Sequence, residues 1–533
     1  VPSAPGPERQ GRRRRPFKRG SRSGAPWWLG VLACLTTGVA LLPLFYLVLR
    51  ATEYPAADFL DAVFSARSAR LASTSLALTG AVTGLCLVIG VGMAVLVTRT
   101  SIPLRRSLAV AAALPLAIPS YVAAFGWQSM NQLLNPGTTF EGFFAATVVI
   151  TTVTYPYVFL PAAAALMRVG PAQEEAARAL GRGPVNTFFT VTVRQSAPAI
   201  TSGGLLCAIY VVADFGAVSI LRLDTFTRAV FTSFSMGFDR LGGIALSSVL
   251  LVLTMVVLLV EGRFRRTSTR YAAIGTDGGS APMRLNMGRW AIPALGLAWA
   301  VVFISLVVPG TALAYWSYRG VSTPGSIAEV AGAFGNSLWV AALGAAATTI
   351  LAVPLALYIA RRGSLLARGL ERLAYLAHSL PGVVIGLAVV MLGISVVPAL
   401  YQTTWLLVLA YCTLMLPLAL GPAVAAALSA PAELEEAARA LGKSSLTAYL
   451  RVTLPLMAPG IGSGFLLVML TVIKELPATL MLRPTGFDTL ATRLWTYTGN
   501  DSLAAAAPFA VLLVLLAAIP AWLMISRLLK EEK

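Results

Sequence analysis

The chain has 533 residues, of which 57% are hydrophobic and 12% charged, where soluble domains carry about 25% charged residues. With a mean hydropathy of +0.77, and apolar runs of about 20 residues that each suffice to cross ~30 Å of hydrocarbon, a soluble globular protein is excluded. The net charge of +19 suggests nucleic acid at first, but its distribution along the chain points to a membrane instead.

Residues 1–26 are rich in Pro, Gly, Ser and Arg, with Arg12-Arg13-Arg14-Arg15, and are expected to be a disordered basic tail. Twelve spans come next, near 27–49, 72–97, 107–131, 142–167, 198–221, 242–262, 289–315, 334–360, 371–397, 403–428, 460–482 and 504–528. Strand alternation is absent and an open sheet edge cannot be satisfied in lipid, so the expected fold is an all-α polytopic membrane protein. With a cytoplasmic amino terminus, most of the 41 Lys and Arg residues fall on cytoplasmic segments, the positive-inside pattern. The carboxyl terminus is then cytoplasmic too, and the basic charge meets anionic lipid headgroups.

The chain repeats itself. Glu174-Glu175-Ala176-Ala177-Arg178-Ala179-Leu180-Gly181 returns 261 positions later as Glu435-Glu436-Ala437-Ala438-Arg439-Ala440-Leu441-Gly442. The register extends outward: Thr74-Ser75-Leu76 to Asn336-Ser337-Leu338, Arg99 to Arg361, Pro119 to Pro381, Pro156 to Pro417, Pro198 to Pro459, and Asp214 to Glu475. Two halves of six spans, 27–262 and 289–533, are therefore expected as parallel repeats about an axis along the membrane normal. A polar cytoplasmic linker, 263–288, joins them. Gly80-x-x-x-Gly84, Gly382-x-x-x-Gly386 and Gly460-x-x-x-Gly464 have the spacing for close helix contact.

The polar islands, near 168–197 and 429–459, read as twin cytoplasmic elbows. Pro171 suits a first helical turn, acidic residues succeed it near the positive end of the dipole, and Gly181 and Gly442 suit a left-handed cap. Arg178 and Arg439 stand four residues after Glu174 and Glu435, the spacing for i,i+4 pairs. A second short helix follows each glycine. Gly442-Lys443-Ser444 imitates the end of a phosphate-binding loop, but Ala437 occupies the place of its first glycine. No nucleotide site is therefore expected on the chain, and no enzymatic constellation stands out.

Few ionisable residues fall inside spans, where they are functional by default. Asp214 and Glu475 occupy matching positions, which leaves two readings open. Paired carboxylates at a central path attract a cation; alternatively they fasten helices, with Lys474 reaching Asp214. Tyr121, Tyr155 and Tyr210 are further path candidates. His378, the one histidine, has no cluster to make a metal site, and Cys34, Cys86, Cys207 and Cys412 read as packing residues.

The doubled Glu-Ala-Ala-x-x-x-Gly pattern, ending in Gly181 and Gly442, resembles the cytoplasmic loop of binding-protein-dependent ABC importer permeases, here as a fused two-half chain. That resemblance implies that two copies of an ATPase subunit, which carry the ATP and Mg, dock on Glu174, Glu175, Ala177, Gly181, Glu435, Glu436, Ala438 and Gly442. It implies no cofactor on this chain, a prokaryotic cytoplasmic (inner) membrane, and a periplasmic or lipid-anchored solute-binding protein facing 222–240 and 483–501. Asp214-Phe215-Gly216-Ala217 and Lys474-Glu475-Leu476-Pro477-Ala478 resemble the ferric-iron subgroup, which borders permeases for thiamine, polyamines, phosphonates and sulfate. From other classes, a secondary transporter with parallel repeats or a non-transporting membrane scaffold also fits twelve spans.

Overall fold

The computed structural model describes residues 26–235, 239–272, 286–320, 326–378 and 380–531, and these are helical with short connections. Nine helices among the described residues are long and apolar enough to cross a membrane. A tenth pair, Arg105–Ala117 and Ser120–Leu134, is bent by 97° at Pro119, and Gly382–Ser395 and Leu503–Ala517 are shorter apolar helices. The expected tail lies outside the described residues except Pro26. So do residues 273–285 of the expected linker, half of it; helix Arg240–Ala272 runs ten residues past the expected end of its span.

Several hydroxyls inside the spans bond to their own helix. Thr37, Thr79, Thr98 and Thr254 each donate to the carbonyl four residues back, which spares the helix an unpaired polar group in an apolar setting. Four of the twelve expected spans are interrupted where periodicity alone draws them continuous; at 371–397 one helix ends at His378 and the next begins at Gly382, just after Pro381. The span at 107–131 is the bent pair. The span at 198–221 ends at Ala213 and resumes as Gly216–Ile220; its repeat at 460–482 ends at Ile473 and resumes as Pro477–Leu482. Pro119 and Pro477 lack the N–H that a continuous helix needs.

Each half surrenders its first helix to the other. Trp27–Ala51 packs against Ser326–Arg361, Leu365–His378, Gly382–Ser395 and Thr404–Ser429 of the second half. Thr36 donates to the Leu351 carbonyl (3.0 Å) and Tyr46 to that of Met391 (3.3 Å). Ala291–Gly320 likewise packs on Ser120–Leu134 of the first half, while it also lies along Leu503–Glu531 of its own. There a side chain on Gly126 would stand 2.7 Å from the Pro309 backbone. The two halves are therefore interlocked.

Of the three glycine pairs, two make the expected contacts. Gly460 and Gly464 lie against Pro422, Ala426 and Ala419, and Gly382 and Gly386 lie against the segment 475–481. Gly80 and Gly84 face open space, so the spacing alone did not mark an interface. Cys86, Cys207 and Cys412 are buried as expected, whereas Cys34 is exposed.

Candidate functional site: two anchored elbows and a central set of helix breaks

Each elbow begins with a nine-residue helix, Pro171–Ala179 or Ala432–Ala440. The Gly181 N–H bonds the Arg178 carbonyl and the Arg182 N–H that of Ala177; Gly442 and Lys443 repeat this on Arg439 and Ala438. This is the paired carboxyl-terminal cap that needs a left-handed residue, and Gly181 and Gly442 have φ of 82° and 80°. A second short helix comes next, Pro184–Thr187 or Ser445–Ala448, and a wide helical turn then merges it with the next span.

The elbow glutamates are not on the surface. Glu174 and Glu435 are buried, 5% and 4% exposed. Instead of the expected i,i+4 pairing with Arg178 and Arg439, they meet the arginines that end the second span of each half. Arg99 Nη1 reaches Glu174 Oε1 at 2.9 Å, and its Nη2 donates to the carbonyls of Leu166 and Val169. Arg361 Nε reaches Glu435 Oε1 at 2.9 Å, its Nη2 meets the same oxygen, and Nη1 donates to the carbonyls of Ala427 and Ala430. Thr192 and Thr453 add a hydroxyl to each carboxylate, at 2.5 and 2.8 Å. The planar guanidinium fork suits such a joint, because one group holds a carboxylate and neighbouring carbonyls together. Thus Glu174 and Glu435 fasten the elbow to the bundle, while Glu175, Gly181, Glu436 and Gly442 remain exposed and Ala177 is buried, with Ala438 half-buried.

The most exposed apolar groups on the elbows are Leu180 and Leu441, at 82% and 81%, beside Val185 and Phe189 or Leu446 and Leu450. The motif alone did not single out these leucines, although they are part of the repeated octet. Their signal was present: an apolar residue just before a capping glycine, in a polar island, has no core to enter.

The helix breaks bring the candidate path residues together. The Asp214 carboxylate accepts from the Ala217 and Val218 N–H groups (3.0 and 3.3 Å) and from the Ser120 hydroxyl. Glu475 Oε1 accepts from the Ala478 N–H at 3.2 Å. Both carboxylates therefore cap the resumed helix after a break. The two halves solve the same problem with different lengths: a serine meets the shorter aspartate, and Gly382 makes room for the longer glutamate, since a Cβ there would lie 2.6 Å from Glu475 Oε1. Lys474 does not reach Asp214; its Nζ points to the Leu116 carbonyl at 3.5 Å. Tyr121 is buried and donates to the Lys474 carbonyl at 3.3 Å, across the halves. Tyr210 lies against Tyr157, ring centroids 5.4 Å apart. Tyr155 is fully buried within the first half at the Thr154–Pro156 junction, and its hydroxyl has no hydrogen-bond partner among the described residues. The His378 side chain lies outside the described residues.

A capping role for Asp214 predicts that Asp214→Ala lowers stability by about 0.5–2 kcal/mol. Asp214→Asn should cost less, because an amide oxygen still accepts. Thermal unfolding of the purified variants measures both, and equal losses would assign the effect to charge.

On the face opposite the elbows, the repeated serines join helices. Ser75 Oγ accepts from the Phe226 N–H (3.2 Å) and Ser337 Oγ from the Leu490 N–H (2.8 Å), so each pins a short helix, Phe226–Ser235 or Leu490–Gly499. The second half adds an ion network in which Arg493 bridges Asp488 (2.7 Å) and Glu329 (3.0 Å), with Arg483 also on Asp488. Tyr497 donates to Glu329 at 2.8 Å; burial, then this carboxylate, holds its phenol above the ordinary value. In the first half Arg222 is half-exposed and only loosely placed, 3.6 Å from Glu141 and 3.7 Å from Asp501.

The family model described as "Binding-protein-dependent transport system inner membrane component" matches the chain twice, at residues 86–269 and 352–525. Each match contains one elbow and its helix break. The chain is 34% identical over 502 residues to the Fe(3+)-transport system permease protein FbpB 2 of Haemophilus influenzae, covering 94% of this chain and 98% of the relative. It is 30% identical over 272 residues to the molybdenum transport system permease protein ModB of Mycobacterium bovis, and 25% over 259 residues to the sulfate transport system permease protein CysT of Salmonella typhimurium. Those two are covered to 97% and 92% by 47% and 45% of this chain, as expected where one chain carries two permease units. With its doubled family match, its anchored elbows and its apolar helices, the chain belongs to the binding-protein-dependent transport system inner membrane components, as a multi-pass permease with two fused halves.

Proposed function

We propose that this chain is the transmembrane permease subunit of an ATP-driven importer for ferric iron. Two copies of an ATPase subunit, which hold the ATP and Mg, dock on the elbows from the cytoplasm. A periplasmic or lipid-anchored solute-binding protein delivers cargo to the opposite face, near 222–240 and 483–501. Both termini are cytoplasmic in this reading, and hydrolysis lies wholly on the partner.

The observation that carries the proposal is the doubled elbow, exposed at Leu180-Gly181 and Leu441-Gly442 and rigidly joined at Glu174 and Glu435 to the span ends. A push on the apolar tip passes through a buried ion pair into the bundle. Iron is favoured as cargo by the long relative named for Fe(3+) transport, which, unlike the molybdenum and sulfate permeases, matches both halves in one alignment.

Leu180→Glu with Leu441→Glu tests the docking. Both side chains are free of the fold, so the protein should insert and purify at normal yield while co-purification of the ATPase is lost. Normal co-purification would overturn the proposal. Radioactive ferric iron, molybdate and sulfate supplied to cells carrying the whole operating complex test the cargo; uptake of an oxyanion without iron would replace the iron assignment.

A further inference from the structure

The polar groups at the breaks are unequally committed. Asp214 is taken up by two N–H groups and a hydroxyl, and Glu475 by an N–H group. Lys474 is half-buried, and its ammonium has three donors to place. Among the described residues its one side-chain hydrogen bond is to the Leu116 carbonyl, 3.5 Å away in the other half. Among the described residues no carboxylate forms an ion pair with it.

That carbonyl is itself a product of the break. Leu116 lies in the single turn Leu114–Ala117, and Pro119, three residues on, has no N–H to give it. In an apolar interior such an oxygen needs a donor. The return contact comes from Tyr121, whose hydroxyl donates to the carbonyl of Lys474 at 3.3 Å. Tyr121 is seated there by Gly216, where a Cβ would stand 2.8 Å from the tyrosine Cβ. Two hydrogen bonds thus run in opposite directions between the broken segment of one half and that of the other.

The repeat does not duplicate this clasp. The position of Lys474 is filled in the first half by Ala213, and that of Tyr121 in the second half by Val383. A device built once where the fold offers two places answers to something other than the elbows, which are built twice. A carbonyl freed from a helix is also a ligand of the kind that hard cations seek, so an ammonium resting on it occupies ground a passing metal cation would use.

We propose that Lys474 is a positioning residue for transport: a tethered cation that clasps the two breaks together at rest and must leave the Leu116 carbonyl before cargo crosses. The inference rests on the importer reading and adds which contact restrains the resting state. The test uses the complete complex in liposomes, permease with its ATPase and solute-binding protein, and reads ATP hydrolysis before and after cargo-loaded binding protein is added.

Lys474→Met should raise unstimulated hydrolysis about fivefold, the shift that loss of one modest hydrogen-bonded contact allows, and should blunt the stimulation by loaded binding protein. Lys474→Arg, which keeps donors and charge, should restore most of the restraint. Tyr121→Phe should give a smaller rise in the same direction. Wild-type unstimulated hydrolysis and full stimulation in Lys474→Met would overturn the clasp. Should that variant fail to assemble, Tyr121→Phe keeps its ring on Gly216 and decides alone, unchanged hydrolysis counting against the proposal. The unstimulated rate needs no iron, so a wild-type complex that takes up no iron would remove the cargo assignment and leave the clasp standing.

Discussion

Arg361→Met, with Glu435 left in place, is expected to cost about 3–5 kcal/mol of stability, because it strands a buried carboxylate. Arg99→Met should cost less. Arg361 uses all three of its nitrogens on Glu435 and two carbonyls, whereas the Nε of Arg99 is buried without a partner. Removing both charges at one joint, as in Arg361→Met with Glu435→Met, should restore most of the stability, since an apolar pair of similar volume carries no desolvation cost. It should not restore transport, because the elbow would then be packed on the span without being bonded to it. Thermal unfolding in detergent and ATP-driven uptake in liposomes separate the two effects. Recovery of both in the double variant would reduce the ion pair to glue.

Gly126→Leu is expected to prevent assembly of a stable bundle. A Cβ at this position would lie 2.6 Å from the Pro309 side chain and 2.7 Å from its backbone, so helix Ala291–Gly320 would have to move away along its contact with Ser120–Leu134. Overpacking costs about 1–3 kcal/mol where the surroundings give way, and here the obstacle is the backbone of a proline. The loss should exceed that range and appear as aggregated or absent protein on size-exclusion chromatography. Gly80→Leu is the matched control: nothing lies within 4 Å of a Cβ there, and its yield and unfolding midpoint should stay near those of the unaltered protein. Equal loss from both would remove the close approach as the cause.

Much of the elbow was legible from residues alone. The repeat located it, and Gly181 and Gly442 announced the left-handed caps that the backbone adopts. Direction was not legible. Glu174 and Glu435 look like solvent-facing docking groups in a polar segment, yet they turn inward, because an arginine stands at the end of a distant span in each half. The clue lay in the register: Arg99 and Glu174 are 75 residues apart and Arg361 and Glu435 74, so the two pairs were retained together. For Asp214 and Glu475 the sequence placed the carboxylates but not their local partners. Apolar periodicity tells where a span runs but not where it stops, and a carboxylate at an interruption caps the helix that resumes beyond it. The exchange of first helices left no trace in composition, since an apolar helix packs equally well against either half's small residues.

That exchange bears on how the protein is made. Thr36 finds its acceptor at Leu351, 315 residues later. At about 5–20 residues per second of synthesis, the opening helix waits roughly 15 to 60 s in the bilayer before its neighbour is translated. During that time its inward face must be shielded by lipid, by an insertion chaperone or by another nascent chain. Crowded ribosomes on one message would then offer the wrong Ser326–Arg361 helix before the right one, so slow translation across residues 273–325 would favour intertwined dimers over the single closed molecule.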